Sequence, residues 1–223
     1  MTSLNSINIK SDDNLKMPVL FIGHGSPMNA IEDNEFSSSW RQLGKSLPSP
    51  KTVLCISAHW ETKGTLVTAM DKPSTIHDFG GFPEQLFRVQ YPAMGNPELA
   101  NEIQSLIKST QIGLDYSWGL DHGCWSILSN MYPNADVPVV QLSINLNLEP
   151  LDQYNLAKEL APLRKQGVLI IGSGNMVHNL AMVDWFHPES GYEWAIEANS
   201  LFKQLIIENN HQKLILSKLL KLA

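Results

Sequence analysis

The sequence predicts an α/β protein with three layers, α/β/α, around a largely parallel or mixed central sheet. Most of its short apolar runs are continuous Val, Leu and Ile, which is typical of strands buried on both faces. Helical patterns lie between these runs, and such alternation of strand and helix favours a parallel sheet. The predicted strands cover residues 19–22, 52–57, 65–69, 137–144 and 168–171.

The helices are predicted from apolar residues that recur every three or four positions. Gly44 is expected to end the first helix and Gly167 the third, since glycine is favoured just beyond a helix. Asn96 is a predicted N-cap, with Pro97 in the first turn of the helix that follows. The predicted helices cover residues 36–43, 97–107, 150–166 and about 192–208.

Composition excludes several classes of function. The chain of 223 residues has a formal net charge of −6, which argues against sequence-independent binding to nucleic acid, since such binding needs a basic face. Neither a polybasic cluster nor an apolar run of about 20 residues is present, which argues against a membrane protein. Two cysteines and no secretory leader predict a cytoplasmic protein. An oligomer is compatible with the sequence.

Histidines follow the predicted strands at several points. His24 and His59 come just after the first two strands, and His178 follows the glycine-rich turn after the last. His77 and His122 lie in loops expected at the same edge of the sheet, where α/β proteins bind ligands. Imidazole suits zinc and iron, and two or three histidines that leave open positions are typical of a catalytic metal site.

Two other chemistries are disfavoured. Gly172-Ser173-Gly174 resembles a phosphate-binding loop, but Val177 stands where the dinucleotide fingerprint needs glycine. Ser26 and Ser173 are possible nucleophiles, yet neither lies in a Gly-x-Ser-x-Gly motif. A serine hydrolase therefore ranks low.

Five motifs, in this order, closely resemble the 4,5-DOPA extradiol dioxygenase-like family of class III (LigB-type) ring-cleaving dioxygenases. The resemblance runs from residue 17 to about residue 215. The motifs are FIGHGSPMNA at 21–30, SAHWE at 57–61, HDFGGFP at 77–83, GLDHG at 119–123 and GSGNMVHN at 172–179.

The resemblance implies one divalent metal per chain, Zn²⁺ or Fe²⁺, and insertion of both atoms of O₂ into a catechol ring. It implies that His24 and His59 are metal ligands. His178 matches a position that is either a further ligand or the acid–base group, and His122 resembles a catalytic histidine that faces the substrate. Histidine can exchange protons near neutral pH, as such a role requires. The loop 79–87 is a hypothetical aromatic lid.

The sequence departs from the family at its end. Family members continue into a further strand with a Thr-Pro-x-His-Tyr-like motif, whose histidine completes the metal site, and this chain has no such motif. We therefore expect a flexible tail at residues 1–16 and one catalytic domain at 17–223 that lacks the family's C-terminal segment. A zinc-dependent hydrolase on the same scaffold and a weakly active metal-binding remnant are the alternative functions.

Overall fold

A computed structural model of the protein describes residues 16–177, 179, 182 and 190–217. Its strands are β1 (Val19–Ile22), β2 (Thr52–Ser57), β3 (Glu61–Thr62), β4 (Thr65–Thr68), β5 (Ser74–Thr75), β6 (Ile112–Asp115), β7 (Gly119–Leu120), β8 (Val139–Gln141), β9 (Ile144–Asn145) and β10 (Val168–Ser173). Its α-helices are α1 (Glu35–Ser46), α2 (Glu84–Phe87), α3 (Pro97–Leu106), α4 (His122–Met131), α5 (Pro150–Glu159), α6 (Glu193–Ile207) and α7 (His211–Ile215). Pro27–Ala30 and Ala161–Gln166 are 3-10 helices.

The central sheet has four parallel strands in the order β1-β10-β2-β8. Its register places Ser173 of β10 beside Ile22 of β1 and Ser57 of β2, so these three strands end level with one another. Because all the strands run the same way, their following loops emerge at one edge. The predicted α/β fold is confirmed.

Alternate residues of β2, β8 and β10 build two separate apolar layers, as strands covered on both faces require. Strand β1 is covered on one face only, since Val19 and Phe21 are exposed. Leu169 and Ile171 of β10 join a cluster that includes Trp40 of α1 and Trp125 of α4. Ile170, the residue between them, joins a second cluster with α3 and α5. Helices therefore cover both faces of these three strands, in the three-layer arrangement that the sequence predicts.

Three short parallel pairs, β3–β9, β4–β6 and β5–β7, lie outside the central sheet. The predicted strand 137–144 is split between β8 and β9 because its backbone changes partner. The N–H of Leu142 donates to Cys55 in β2, whereas the N–H of the next residue, Ser143, donates to Leu66 in β4.

Gly44 does not end the first helix, so that prediction is wrong. Helix α1 continues to Ser46, and a Cβ atom on Gly44 would overlap the backbone of Met131 at the end of α4. The glycine is needed for the close approach of α1 and α4.

The predicted helix 150–166 is also broken. Helix α5 ends at Glu159, and the 3-10 helix Ala161–Gln166 follows it. Pro162 lacks the N–H that would donate to the carbonyl four residues earlier, so an α-helix cannot continue regularly there. Gly167 does end this segment, with a φ of 90°. Asn96 caps α3 as predicted, accepting a hydrogen bond from the N–H of Leu99.

Among the described residues, none of the helices combines the length and the apolar composition that crossing a membrane requires. The predicted tail, apart from Lys16, lies outside the described residues.

Candidate metal centre

Three histidines converge at the carboxyl edge of the sheet. His24 lies two residues beyond β1, His59 two residues beyond β2, and His122 is the first residue of α4. The ring centroid of His59 is 4.8 Å from that of His24 and 3.9 Å from that of His122. One ligating nitrogen from each ring lies within 4.8 Å of the other two.

Ser173 orients the ring of His24, which is only 1% exposed. The Ser173 hydroxyl lies 2.5 Å from the carbonyl oxygen of Gly123, which can only accept, so the hydroxyl donates its single proton there. Its 3.0 Å contact with Nδ1 of His24 must then be donated by the ring. His24 thus carries its proton on Nδ1, and its Nε2 presents a lone pair.

This geometry also bears on the serine-hydrolase alternative. The hydroxyl of Ser173 is buried and is already bonded on both sides, to Gly123 and His24. The hydroxyl of Ser26 accepts from the N–H of Met28 and caps the 3-10 helix that follows it. Each hydroxyl has a structural use, so neither serine is set up as an activated nucleophile.

The Nε2 atom of His59 faces the Nε2 atom of His24. The two Nε2 atoms are 2.9 Å apart. Two lone pairs would repel at this distance, so a proton or a cation must lie between the rings. The backbone N–H of His59 donates to Ser57, the last residue of β2, which fixes the start of the loop against the strand.

Asp78 holds His122 from the loop between β5 and α2. Its Oδ1 accepts from the backbone N–H of His122 at 2.9 Å, and its Oδ2 lies 2.9 Å from Nδ1 of the ring. The same Oδ2 is 3.8 Å from Nδ1 of His59. Burial raises the pKa of the Asp78 carboxyl, but the hydrogen bonds and charge of His122 outweigh it and hold the pKa below its usual value.

Asp121 is a fully buried carboxylate that ties the site to the sheet. It caps α4 by accepting from the N–H of Cys124, and it accepts hydrogen bonds from Ser57 and Gln141, each at 2.7 Å. Burial raises the pKa of Asp121 despite these hydrogen bonds. The network joins the end of β2 to the start of α4, and it therefore fixes His59 relative to His122.

His77 does not join the cluster. Its Nε2–H donates to the carbonyl oxygen of Val89 at 3.0 Å, and its ring packs against Phe79, Phe87 and Trp125. The grouping of five histidines expected from the sequence thus reduces to three among the described residues. His178 lies outside the described residues.

Aromatic residues of the segment 79–87, which ends in helix α2, form one wall beside His122. The ring of Phe79 stands edge-on to that of His122, with centroids 5.5 Å apart and an interplanar angle of 84°. Phe82 and Phe87 pack around Phe79, with centroids at 5.3 and 5.1 Å. The lid role of this loop stays a prediction.

The donor set fits a divalent metal. Two nitrogens bound to one metal at about 2.1 Å and about 90° to each other would be about 3 Å apart, close to the spacing of the His24 and His59 Nε2 atoms. Imidazole nitrogens bind both zinc and iron, so these donors do not select between the two metals.

Four residues position the site histidines through contacts with them or with each other, and the sequence pattern predicts this role for none of them: Ser57, Asp78, Asp121 and Ser173. Asp78 and Asp121 each lie in a motif next to a histidine, and that adjacency was the only available signal. The contacts join residues that are distant along the chain. Asp78 is 44 positions from His122, Ser57 is 64 from Asp121, and Ser173 is 149 from His24.

Comparison with known proteins identifies the family of the chain. The family described as the catalytic LigB subunit of aromatic ring-opening dioxygenase matches residues 18–220. A crystal structure of an uncharacterized protein from Escherichia coli K12 superposes with a TM-score of 0.70 and 42% sequence identity, covering 86% of this chain and 72% of that one.

Two curated relatives share the name 4,5-DOPA dioxygenase extradiol. The protein from Escherichia coli K12 is 48% identical over 189 residues, which are 84% of this chain and 70% of that protein. The Beta vulgaris protein is 47% identical over 175 residues, which are 75% of this chain and 65% of that protein. The family predicted from the five motifs is confirmed: the chain belongs to the LigB family of aromatic ring-opening dioxygenases and is an oxidoreductase.

Proposed function

We propose that this protein is an extradiol dioxygenase that opens the ring of a catechol, of which DOPA is the first candidate, with O₂ at a non-haem divalent metal. The single observation that carries the proposal is the convergence of His24, His59 and His122, with ligating nitrogens within 4.8 Å of one another. The relatives named for DOPA supply the candidate substrate.

The proposed ligands are His24, His59 and His178, which hold Zn²⁺ or Fe²⁺. Ser173 supports this assignment because it keeps the proton of His24 on Nδ1 and leaves Nε2 to bind. A metal held there supplies a positive centre at which a catecholate and O₂ can lie side by side. Fe²⁺ is the metal proposed for turnover, since O₂ chemistry needs a redox-active ion.

His122 is the proposed acid–base group. Its ring lies 3.9 Å from that of His59 and 5.4 Å from that of His24, measured between centroids, so it reaches a diol bound beside those two histidines. In this role Nε2 of His122 accepts a proton from a catechol hydroxyl and later returns one as the ring opens. His178 is the second candidate for proton transfer.

Phe79 is proposed to contact the catechol ring. Its edge-on packing against His122 places an apolar aromatic surface next to the acid–base group. A ring that lies against Phe79 would displace water from the site, which strengthens the electrostatic interactions of the diol with the histidines.

Oxygen uptake tests the proposal. The protein is loaded anaerobically with Fe²⁺ and mixed with L-DOPA, and dissolved O₂ and visible absorbance are followed after air is admitted. The expected result is one O₂ consumed per molecule of yellow ring-opened product. Resorcinol, whose hydroxyls are not adjacent, is the matched control and should consume no O₂ because it cannot present both oxygens to one metal.

Two results would overturn the proposal. One is the absence of O₂ uptake with every vicinal diol supplied to metal-loaded protein. The other is hydrolysis of an ester panel by the Zn²⁺-loaded protein at rates that exceed ring opening, because this would favour a hydrolase on the same scaffold.

A further inference from the structure

We infer that Asp78 is a positioning residue, which holds His122 as the tautomer with a free Nε2 and aims that nitrogen at the substrate. The inference rests on the proposed function, because it assigns the partner of the proposed acid–base group. It concerns a carboxylate 44 positions away from that histidine along the chain.

Both oxygens of Asp78 are committed to the same residue. Oδ1 accepts the backbone N–H of His122, and Oδ2 lies 2.9 Å from Nδ1 of the His122 ring. An ionised carboxylate can only accept hydrogen bonds, so Nδ1 must carry the ring proton. Nε2 is then unprotonated in the neutral ring. One ring nitrogen of His122 lies within 4.8 Å of ligating nitrogens of His24 and His59, so the ring stands beside those two histidines.

The two contacts also fix the ring's orientation. The contact with the backbone N–H anchors Asp78 at the start of α4. The contact with Nδ1 then restricts the imidazole to one rotamer. The His122 side chain is 7% exposed and that of Asp78 is 15% exposed, so water does not compete freely for either contact. A charge-assisted hydrogen bond in such surroundings is stronger than one in bulk water.

Replacing Asp78 with Asn would reverse the tautomer. The Asn oxygen can keep the bond from the backbone N–H of His122, and its NH₂ group then occupies the place of Oδ2. Because NH₂ only donates, Nδ1 of His122 must accept and the ring proton moves to Nε2. A ring protonated at Nε2 cannot take a proton from a catechol through that atom, as in serine proteases whose triad aspartate is changed to asparagine.

The experiment is a double-mutant cycle on Fe²⁺-loaded protein, with Asp78→Asn, His122→Ala and the double variant assayed for L-DOPA ring opening. We expect Asp78→Asn to lower kcat by about 100-fold or more while KM and bound metal stay near their wild-type values. In the His122→Ala background the same substitution should have almost no further effect, because Asp78 acts through that ring.

Asp33→Asn is the matched control. It makes the same change of a carboxylate to a carboxamide at an exposed ion pair with Arg41, and kcat should not change.

Several outcomes overturn the inference. These are an unchanged kcat in Asp78→Asn, loss of metal in that variant, or an equal fall in kcat with and without His122. If wild-type protein opens no catechol ring, the proposed function fails instead, so the two failures are distinguishable.

A spectroscopic measurement keeps the inference testable if Asp78→Asn does not fold. In Zn²⁺-loaded wild-type protein labelled with ¹⁵N-histidine, NMR reports which ring nitrogen of His122 carries the proton. The proton is expected on Nδ1, and a proton on Nε2 would contradict the inference.

Discussion

The hydroxyl of Ser173 lies 3.0 Å from Nδ1 of His24 and determines which nitrogen of that ring faces the other histidines. Replacement of Ser173 by Ala removes the acceptor and frees the ring to rotate or to change tautomer. We expect the metal to bind about 10- to 100-fold more weakly, the usual cost of losing a partner that orients a ligand. Competition between the protein and a chromogenic zinc chelator measures this change.

Ser126→Ala is the matched control for Ser173→Ala. Ser126 is also buried, and its hydroxyl has no hydrogen-bond partner in the described part of the chain. Its loss should leave metal affinity unchanged. Equal affinities in Ser173→Ala and Ser126→Ala would show that Ser173 does not orient His24.

Gly123 keeps space open beneath His59. A Cβ atom at this position would overlap the hydroxyl of Ser57 and lie 3.0 Å from Cδ2 of the His59 ring. Gly123→Ala should therefore lower the free energy of unfolding by about 1–3 kcal/mol, as overpacking does, and should also weaken metal binding. Urea unfolding measures the first effect, with Gly80→Ala as control because a Cβ there meets no atom within 4 Å. Equal stability of the two variants would contradict this account.

Tyr132 should make the protein less stable in alkali. Burial raises the pKa of Tyr132 to about 12, against about 10 in an unfolded chain. The folded state favours the neutral phenol, so its contribution to stability is complete below pH 10 and is lost as the pH rises from 10 to 12.

Tyr132→Phe tests this pH dependence. The Tyr132 hydroxyl has no hydrogen-bond partner in the described segments, so its removal should cost little at pH 8. Urea unfolding at pH 8 and pH 11 should show a smaller loss of stability in the variant than in the wild type. The same loss in both would show that this phenol does not contribute.

Cys55 and Cys124 should resist thiol reagents in the folded protein. They are 1% and 0% exposed, and burial raises the pKa of the Cys124 thiol. The reactive thiolate is therefore both scarce and inaccessible. A chromogenic disulfide reagent should label neither thiol within minutes in buffer and both in urea. Rapid labelling of the folded protein would show that the α4–β2 contact opens readily.

The sheet and two of the site histidines were predictable because they depend on local sequence. Continuous apolar runs predict buried strands, and parallel strands end at a common edge, so His24 and His59 could be placed together. The strands β3, β5 and β7 contain only two residues each, which is too short for any periodic pattern.

The rest of the site depends on contacts between distant parts of the chain. Asp78 and His122 are 44 residues apart, and no pattern near either residue indicates their pairing. His77 and His122 both lie in predicted loops, yet His77 turns to the carbonyl of Val89 while His122 joins the cluster. Gly44 is likewise a residue type typical of a helix end. Only the packing of α1 on α4 shows that it is needed for the close approach of the two helices.

The proposed ligand assignment is tested most directly by the metal content of histidine variants. Elemental analysis of purified, folded protein should find about one Zn or Fe per chain in the wild type and almost none in His24→Ala or His59→Ala. His122→Ala should keep its metal and lose ring opening, and His211→Ala, an exposed histidine far along the chain in α7, should keep both. Unchanged metal content in both His24→Ala and His59→Ala would contradict the account, and loss of metal in His122→Ala would show that His122 is a ligand.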